Sequence, residues 1–395
     1  MKVLLCPLSS GGFLYPATAA ALELHRRGHD VTLFAPGAAG RAAAAAGIAV
    51  LPSATDGAPH AFDVSRWFRD GASQYRVVRE AARALRPDVV VTSVLCPGAL
   101  LAAETLDLPA VVLGLACHLW PYAEGAPGGG GGDADSEDRE WRLTETLRHY
   151  QALREELGLR IPEPRAAARQ LYGAAFLLRG HPDLERPGAV LPSGVGHVGP
   201  LWWEPPAGGA GGAGDDEGGE GGEGAALAAH LDRVGKPVVY VHLGRTFGGE
   251  SLWRWIDEAF TGTGLQAVVE LARTPDRAPA PGSDVITVRR PRMGDLLARA
   301  EAVVGNGTSA PVLGALLHGK PLLLRPNGGE QRLLAAACLR AGVAAPLPER
   351  PAESEALVRA VADPRLRTAV GALEAALAQA KSAAAAAQVI EEAAR

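Results

Sequence analysis

Apolar residues along the chain fall into two series of short runs, separated by stretches in which they recur every three or four positions. In the first series, residues 2–7 form an apolar run and a Gly/Ser turn follows. Residues 16–27 then set Ala19, Ala20, Leu22 and Leu24 among polar positions until Gly28 stops the pattern. That is strand, glycine turn, helix. Further strands are predicted at 30–34, 48–51, 88–92 and 110–115, with a helix at 99–106. Strands that alternate with helices specify a parallel sheet covered on both faces. The same grammar restarts at 237–243 and continues through 264–271, 284–288, 302–305 and 321–324, with helices between these runs.

Between the two series, residues 207–224 (AGGAGGAGDDEGGEGGEG) contain no β-branched residue and only acidic charges, so the segment reads as a solvated linker. The predicted division is therefore 1–206 for a first Rossmann-like domain, 207–235 for the linker and 236–375 for a second such domain. A terminal helix at 376–395 is expected to pack back on the first domain. A second glycine run at 128–132 leads into acidic residues and a helix near 141–157; a mobile loop and a passive insertion are both open readings. The predicted class is α/β, two doubly wound domains whose strand ends face a cleft, where open α/β sheets bind ligands.

Length changes this picture little, since 395 residues suit two cores better than one. A formal net charge of -5 gives no basic excess, so nucleic acid is not an expected partner. Only four of the 39 basic residues are lysine, a bias without chemical content. No stretch approaches the roughly 20 apolar residues of a membrane helix, and the first apolar run is too short for a signal peptide. The expected location is the cytoplasm, in keeping with four scattered cysteines (Cys6, Cys96, Cys117, Cys338) that lack metal-site spacing and read as buried free thiols. No metal site and no cofactor are expected.

Several motifs carry a resemblance. GFLYP at 12–16, ALEL at 21–24 and RGHDVT at 27–32 resemble the opening of the GT-B glycosyltransferases that decorate natural products. PDVVV at 87–91, Ala103-Glu104, Leu108-Pro109, VGP at 198–200 and PVVYVHLG at 237–244 follow in the family's order. The resemblance implies a nucleotide diphosphate sugar of the UDP or dTDP type, held by the second domain. It also implies a small, apolar natural-product acceptor held by the first, and transfer with inversion, in antibiotic or similar biosynthesis. A homodimer is compatible with it.

The family's donor signature, counted back from Gly319-Lys320-Pro321, falls on Asn306, Gly307, Thr308 and Ser309 and forward on Glu330 and Gln331. A helix opening at Gly307 to Ser309 offers N–H groups and a dipole to a diphosphate; a plain capping turn is the alternative. Asn306 stands where the family has histidine. Glu330 and Gln331 align with the acid and amide that hold the donor sugar's hydroxyls, and an exposed polar pair at a helix start is the alternative. Arg245, Arg289 and Arg290 follow predicted strands of the same domain and are candidates to pair with phosphate or stack on a base.

Phe13 occupies the position of the family's base, and phenylalanine takes no proton. His118, after the strand at 110–115, is the substitute candidate, with His60 and Asp56 behind it; a packed His118 beside Trp120 and Tyr122 is the competing reading. Phe13, His60, Trp67, Trp120 and Tyr122 are the expected acceptor-binding residues, in a first half that also concentrates Phe68, Trp141 and Tyr150. No GxGxxG, GxxxxGK[ST] or GxSxG pattern supports a dehydrogenase, a P-loop ATPase or a serine hydrolase. A catalytically degenerate relative that binds ligand and assists a partner is the second reading.

Overall fold

The computed structural model describes residues 1–52, 70–123, 134–206, 220–244, 249–271, 276, 278–289, 291–350 and 354–395. The described residues up to Pro205, with Ala380–Arg395, form one compact unit, and those of Pro206–Gln379 form another.

The first unit is built on a seven-stranded sheet of order β3-β2-β1-β4-β5-β6-β7. Its strands are β1 Lys2–Cys6, β2 Asp30–Phe34, β3 Ala49–Leu51, β4 Val89–Ser93, β5 Ala110–Leu113, β6 Ala175–Leu178 and β7 Val195–His197. Every pairing is parallel. Alternation sends Val3, Leu5, Val89 and Val91 into one core and Leu4, Cys6, Val90 and Val112 into the other. Both faces are therefore apolar, and the strands read as continuous hydrophobic runs. All four cysteines are buried, and none forms a disulfide.

The second unit holds a six-stranded parallel sheet of order β10-β9-β8-β11-β12-β13. Its strands are β8 Val238–His242, β9 Gln266–Glu270, β10 Val285–Val288, β11 Ala300–Gly305, β12 Leu322–Leu324 and β13 Ala344–Pro346. The helix Gly249–Ala259 closes one face by burying Leu252, Trp253, Trp255 and Ile256 against Val239, Val241 and Val304.

Three departures from the sequence expectation concern helices. Residues 220–234 are helix (Glu220–Val234), where the sequence predicts a linker to 235: the alanine- and leucine-rich stretch 225–231 favours helix strongly enough to extend it back over Gly221, Gly222 and Gly224. Residues 207–219 lie outside the described ones. The terminal element is two helices, Pro364–Gln379 and Ser382–Ala393, broken at Lys381, whose φ of 42° is left-handed. The latter helix buries Ala386, Ala387 and Ile390 in the first unit's core. There Glu391 accepts from Arg27 Nη1 at 3.1 Å and lies 2.8 Å from His29 Nε2. Finally, the helix Gly11–Arg26 begins before Pro16, so Phe13 sits in its first turn, with its N–H donating to Ser10 O at 2.9 Å.

Candidate functional site

In each sheet the strand order reverses once, between β1 and β4 and between β8 and β11, and open α/β sheets bind ligands beyond the carboxyl ends at such a point. In the second unit that point is occupied by the predicted donor residues. β8 ends at His242, with Leu243 and Gly244 directly after it; β11 ends at Gly305, and the chain runs through Asn306 and Gly307 to Thr308, which precedes the helix Ser309–Leu317. Gly244 (φ 75°) and Gly307 (φ 86°) both have left-handed backbone. Any side chain at 244 overlaps the Asn306 amide, and a Cβ at 307 stands 3.0 Å from Gln331 O. Glycine is thus required at both positions.

Asn306 is only 2% exposed, and its Oδ1 accepts from Thr308 Oγ1 at 2.7 Å and from Thr308 N at 3.3 Å. Because the Thr308 hydroxyl points at Asn306, it does not cap the helix that follows. Gln331 is equally buried; its Oε1 accepts from Asn327 N at 3.0 Å and Gly328 N at 3.4 Å, which ties down the loop after β12. Glu330 is partly exposed at the start of the helix Gln331–Arg340, and its carbonyl accepts from Leu334 N at 3.0 Å. The structure therefore gathers Asn306, Gly307, Thr308, Ser309 and Gln331 around one turn, with Glu330 beside it.

It does not gather Arg289. That residue follows β10, the outer strand, two strands removed from β8, and its guanidinium pairs with Asp276. Strand order, which the sequence does not display, is the reason for this correction. Arg245 and Arg290 lie outside the described residues, as do His60, Asp56, Trp67 and Phe68. Two residues at the switch point escaped the sequence reading. His242 is in register with Gly305, and Arg325, directly after β12, donates its N–H to Gly305 O at 3.0 Å. Their strand-end positions were the available signal.

In the first unit, His118 is 1% exposed and enclosed by rings: Tyr172 stacks on it with centroids 5.9 Å apart, and Trp120, Tyr122 and Phe176 pack around it. Nε2 lies 3.3 Å from Pro121 O, while Nδ1 has no hydrogen-bond partner among the described residues. Burial pushes its pKa down to about 4; the Glu185 carboxylate opposes the shift and Arg139 adds to it. A void of about 10 Å³ beside it, lined in part by Leu115, Cys117 and Phe176, is at the threshold for one water. An enclosed, weakly basic imidazole is not placed to take a proton from an acceptor, so the structure favours the packed reading of His118 over the base.

Trp120 and Tyr122 share that burial. The Tyr122 hydroxyl donates to Glu185 Oε2 at 2.8 Å, and the His118 N–H donates to Glu185 Oε1 at 2.8 Å. His197 Nε2 lies 3.4 Å from the same oxygen, close enough for an ion pair without hydrogen-bond alignment. Burial pulls the Glu185 pKa up, but these donors outweigh it and hold the carboxyl below the ordinary range. Arg139, from the helix Ala134–Glu156, donates to the His118 carbonyl and lies 4.4 Å from the Tyr122 ring centre. Phe13 is partly buried against the core that contains Leu4, Val90 and Trp120.

Among the described residues no helix is long and apolar enough to cross a membrane, and no group of three or more His, Cys, Asp or Glu could hold a metal ion. No protein-family model matches the chain, and no curated protein matches it in sequence. Solved structures do match. The glycotransferase of kitacinnamycin superposes with a TM-score of 0.74 at 18% identity, over 99% of this chain and 98% of that one. The calicheamicin glycosyltransferase CalG4 gives 0.66 at 23% identity over 99% and 97%. The Streptomyces sp. SF2575 glycosyltransferase SsfS6, complexed with thymidine diphosphate, gives 0.61 at 17% identity over 99% of each chain. The chain has the fold of these natural-product glycosyltransferases, two parallel-sheet α/β units of the GT-B kind.

Proposed function

We propose that the protein is a glycosyltransferase that moves a sugar from a nucleoside diphosphate, of the dTDP or UDP type, to a small natural-product acceptor with inversion at the anomeric carbon. The observation that carries this reading is the turn at 306–309: the obligatory Gly307, with the obligatory Gly244 of the neighbouring strand end against Asn306, and a helix start without a side-chain cap at the switch point of the second sheet, in a fold whose solved examples include a thymidine diphosphate complex. Such a turn offers N–H donors and a dipole to an anion. Gln331 commits its carbonyl oxygen to the main chain, so it serves a sugar through its NH2 group, while the Glu330 carboxylate accepts from hydroxyls.

In the proposed reaction the acceptor's nucleophile attacks the anomeric carbon as the bond to the diphosphate breaks, and the diphosphate leaves with the electron pair. Neither Phe13 nor the enclosed His118 supplies that nucleophile with a strong base. The acceptor class that follows is one needing none: an amine, an acidic hydroxyl or a carboxylate.

The same two residues favour a second reading, a ligand-binding relative without turnover. Incubation with dTDP- and UDP-sugars and a panel of aromatic amines, phenols and carboxylic acids, read by mass spectrometry, separates the two. A glycosylated product supports transfer. Donor binding without any product across the panel supports the second reading.

A further inference from the structure

The residues at 306–309 are all neutral, although a nucleoside diphosphate carries a charge of about -2 to -3 and a helix start offsets only about half a charge. Arg289 is paired elsewhere. A cation stands one strand over from the turn. Leu324, the last residue of β12, is in register with Gly305, the last of β11. Continuing the alternation of both strands by one residue puts Arg325 and Asn306 side by side on one face, at the strand spacing of about 4.8 Å. The Arg325 N–H bonded to Gly305 O at 3.0 Å fixes this juxtaposition.

The Arg325 guanidinium is partly buried and has no carboxylate partner among the described residues. Its neighbours along the chain, Pro326 to Gly329, carry no charge. Other arginines of this unit are paired: Arg299 with Asp232 and Arg367 with Glu301. An uncompensated cation next to the positive end of the helix Ser309–Leu317 is unfavourable by itself, because both repel positive charge. An anion between them relieves both.

We infer that Arg325 holds the donor's diphosphate, supplying at the turn the positive charge that Asn306 does not. This role presupposes the nucleoside diphosphate donor proposed above. A guanidinium bonds two phosphate oxygens at once, and its attraction grows as the leaving diphosphate gains charge during transfer.

The test is calorimetric titration of the full chain with dTDP, UDP, thymidine and uridine, using wild type, Arg325→Gln and Arg325→Lys, each at a low and a high ionic strength. Charge-assisted hydrogen bonds of this kind correspond to about ten- to a hundredfold in affinity. Arg325→Gln is expected to weaken diphosphate binding by that factor, leave nucleoside binding unchanged and flatten the salt dependence, with Arg325→Lys intermediate. Equal diphosphate binding by wild type and Arg325→Gln overturns the role while leaving the donor reading intact. An equal loss of nucleoside and diphosphate makes Arg325 a structural residue and also overturns it. A wild-type protein that binds neither diphosphate overturns both.

Discussion

Gly244 and Asn306 meet across the ends of β8 and β11, and the Asn306 amide occupies the space that a side chain at 244 needs. The Gly244 backbone is also left-handed, with φ of 75°. Gly244→Ala therefore combines strain with displacement of the amide, and is expected to lower stability by about 1 to 3 kcal/mol. Urea unfolding of the variant measures it. A midpoint equal to that of wild type would mean that the two strand ends are not held together in this way.

His118 gives a pH-dependent prediction. Its pKa is near the ordinary 6.5 in the unfolded chain and pushed down to about 4 in the fold, so the unfolded state binds the extra proton between these values. The neutral ring's contribution is complete above about pH 6.5 and is lost as pH falls toward 4, by about 2 to 3 kcal/mol. His118→Phe, which keeps a ring in the aromatic cluster, is expected to flatten this part of the stability profile. It should also leave the pH dependence of any transfer activity unchanged. A variant whose turnover falls a hundredfold at neutral pH would restore the imidazole as a base.

Gln331 is expected to separate fold from ligand. Gln331→Leu removes the acceptor for Asn327 N and Gly328 N and should destabilise by about 1 kcal/mol. Gln331→Glu keeps that acceptor but lacks the NH2 group. Its carboxylate, at a position only 2% exposed, should lower the melting temperature and repel both ligands, and the sugar nucleotide should lose about tenfold more affinity than the bare diphosphate, a single hydrogen bond's worth. Calorimetry with both ligands checks this, and an equal change for both places Gln331 outside the sugar's reach.

Most strands were legible because their apolar runs are rich in valine and leucine, as in VVYVH of β8 and DVTLF of β2. β13 was not, since Ala344, Ala345 and Pro346 carry no strand signal and are fixed by pairing with Leu322–Leu324. β7 is three residues long and equally silent. The donor turn could be found because its spacing from Gly319 is local. The enclosure of His118 could not: Tyr172 and Phe176 approach it from more than 50 positions away in the chain. Arg325 carries no signal of its own in the sequence, because it falls between two recognisable pieces, Gly319-Lys320-Pro321 and Glu330-Gln331.

Calorimetric titration of dTDP and UDP into wild type and Gly307→Val tests whether the turn at 306–309 binds a nucleoside diphosphate. With φ of 86° and Gln331 O at 3.0 Å from the added Cβ, valine at 307 distorts the turn. Wild type is expected to bind at least one diphosphate in the micromolar range, and the variant tenfold or more weakly. Binding of neither diphosphate by wild type, or equal binding by the two proteins, would contradict it.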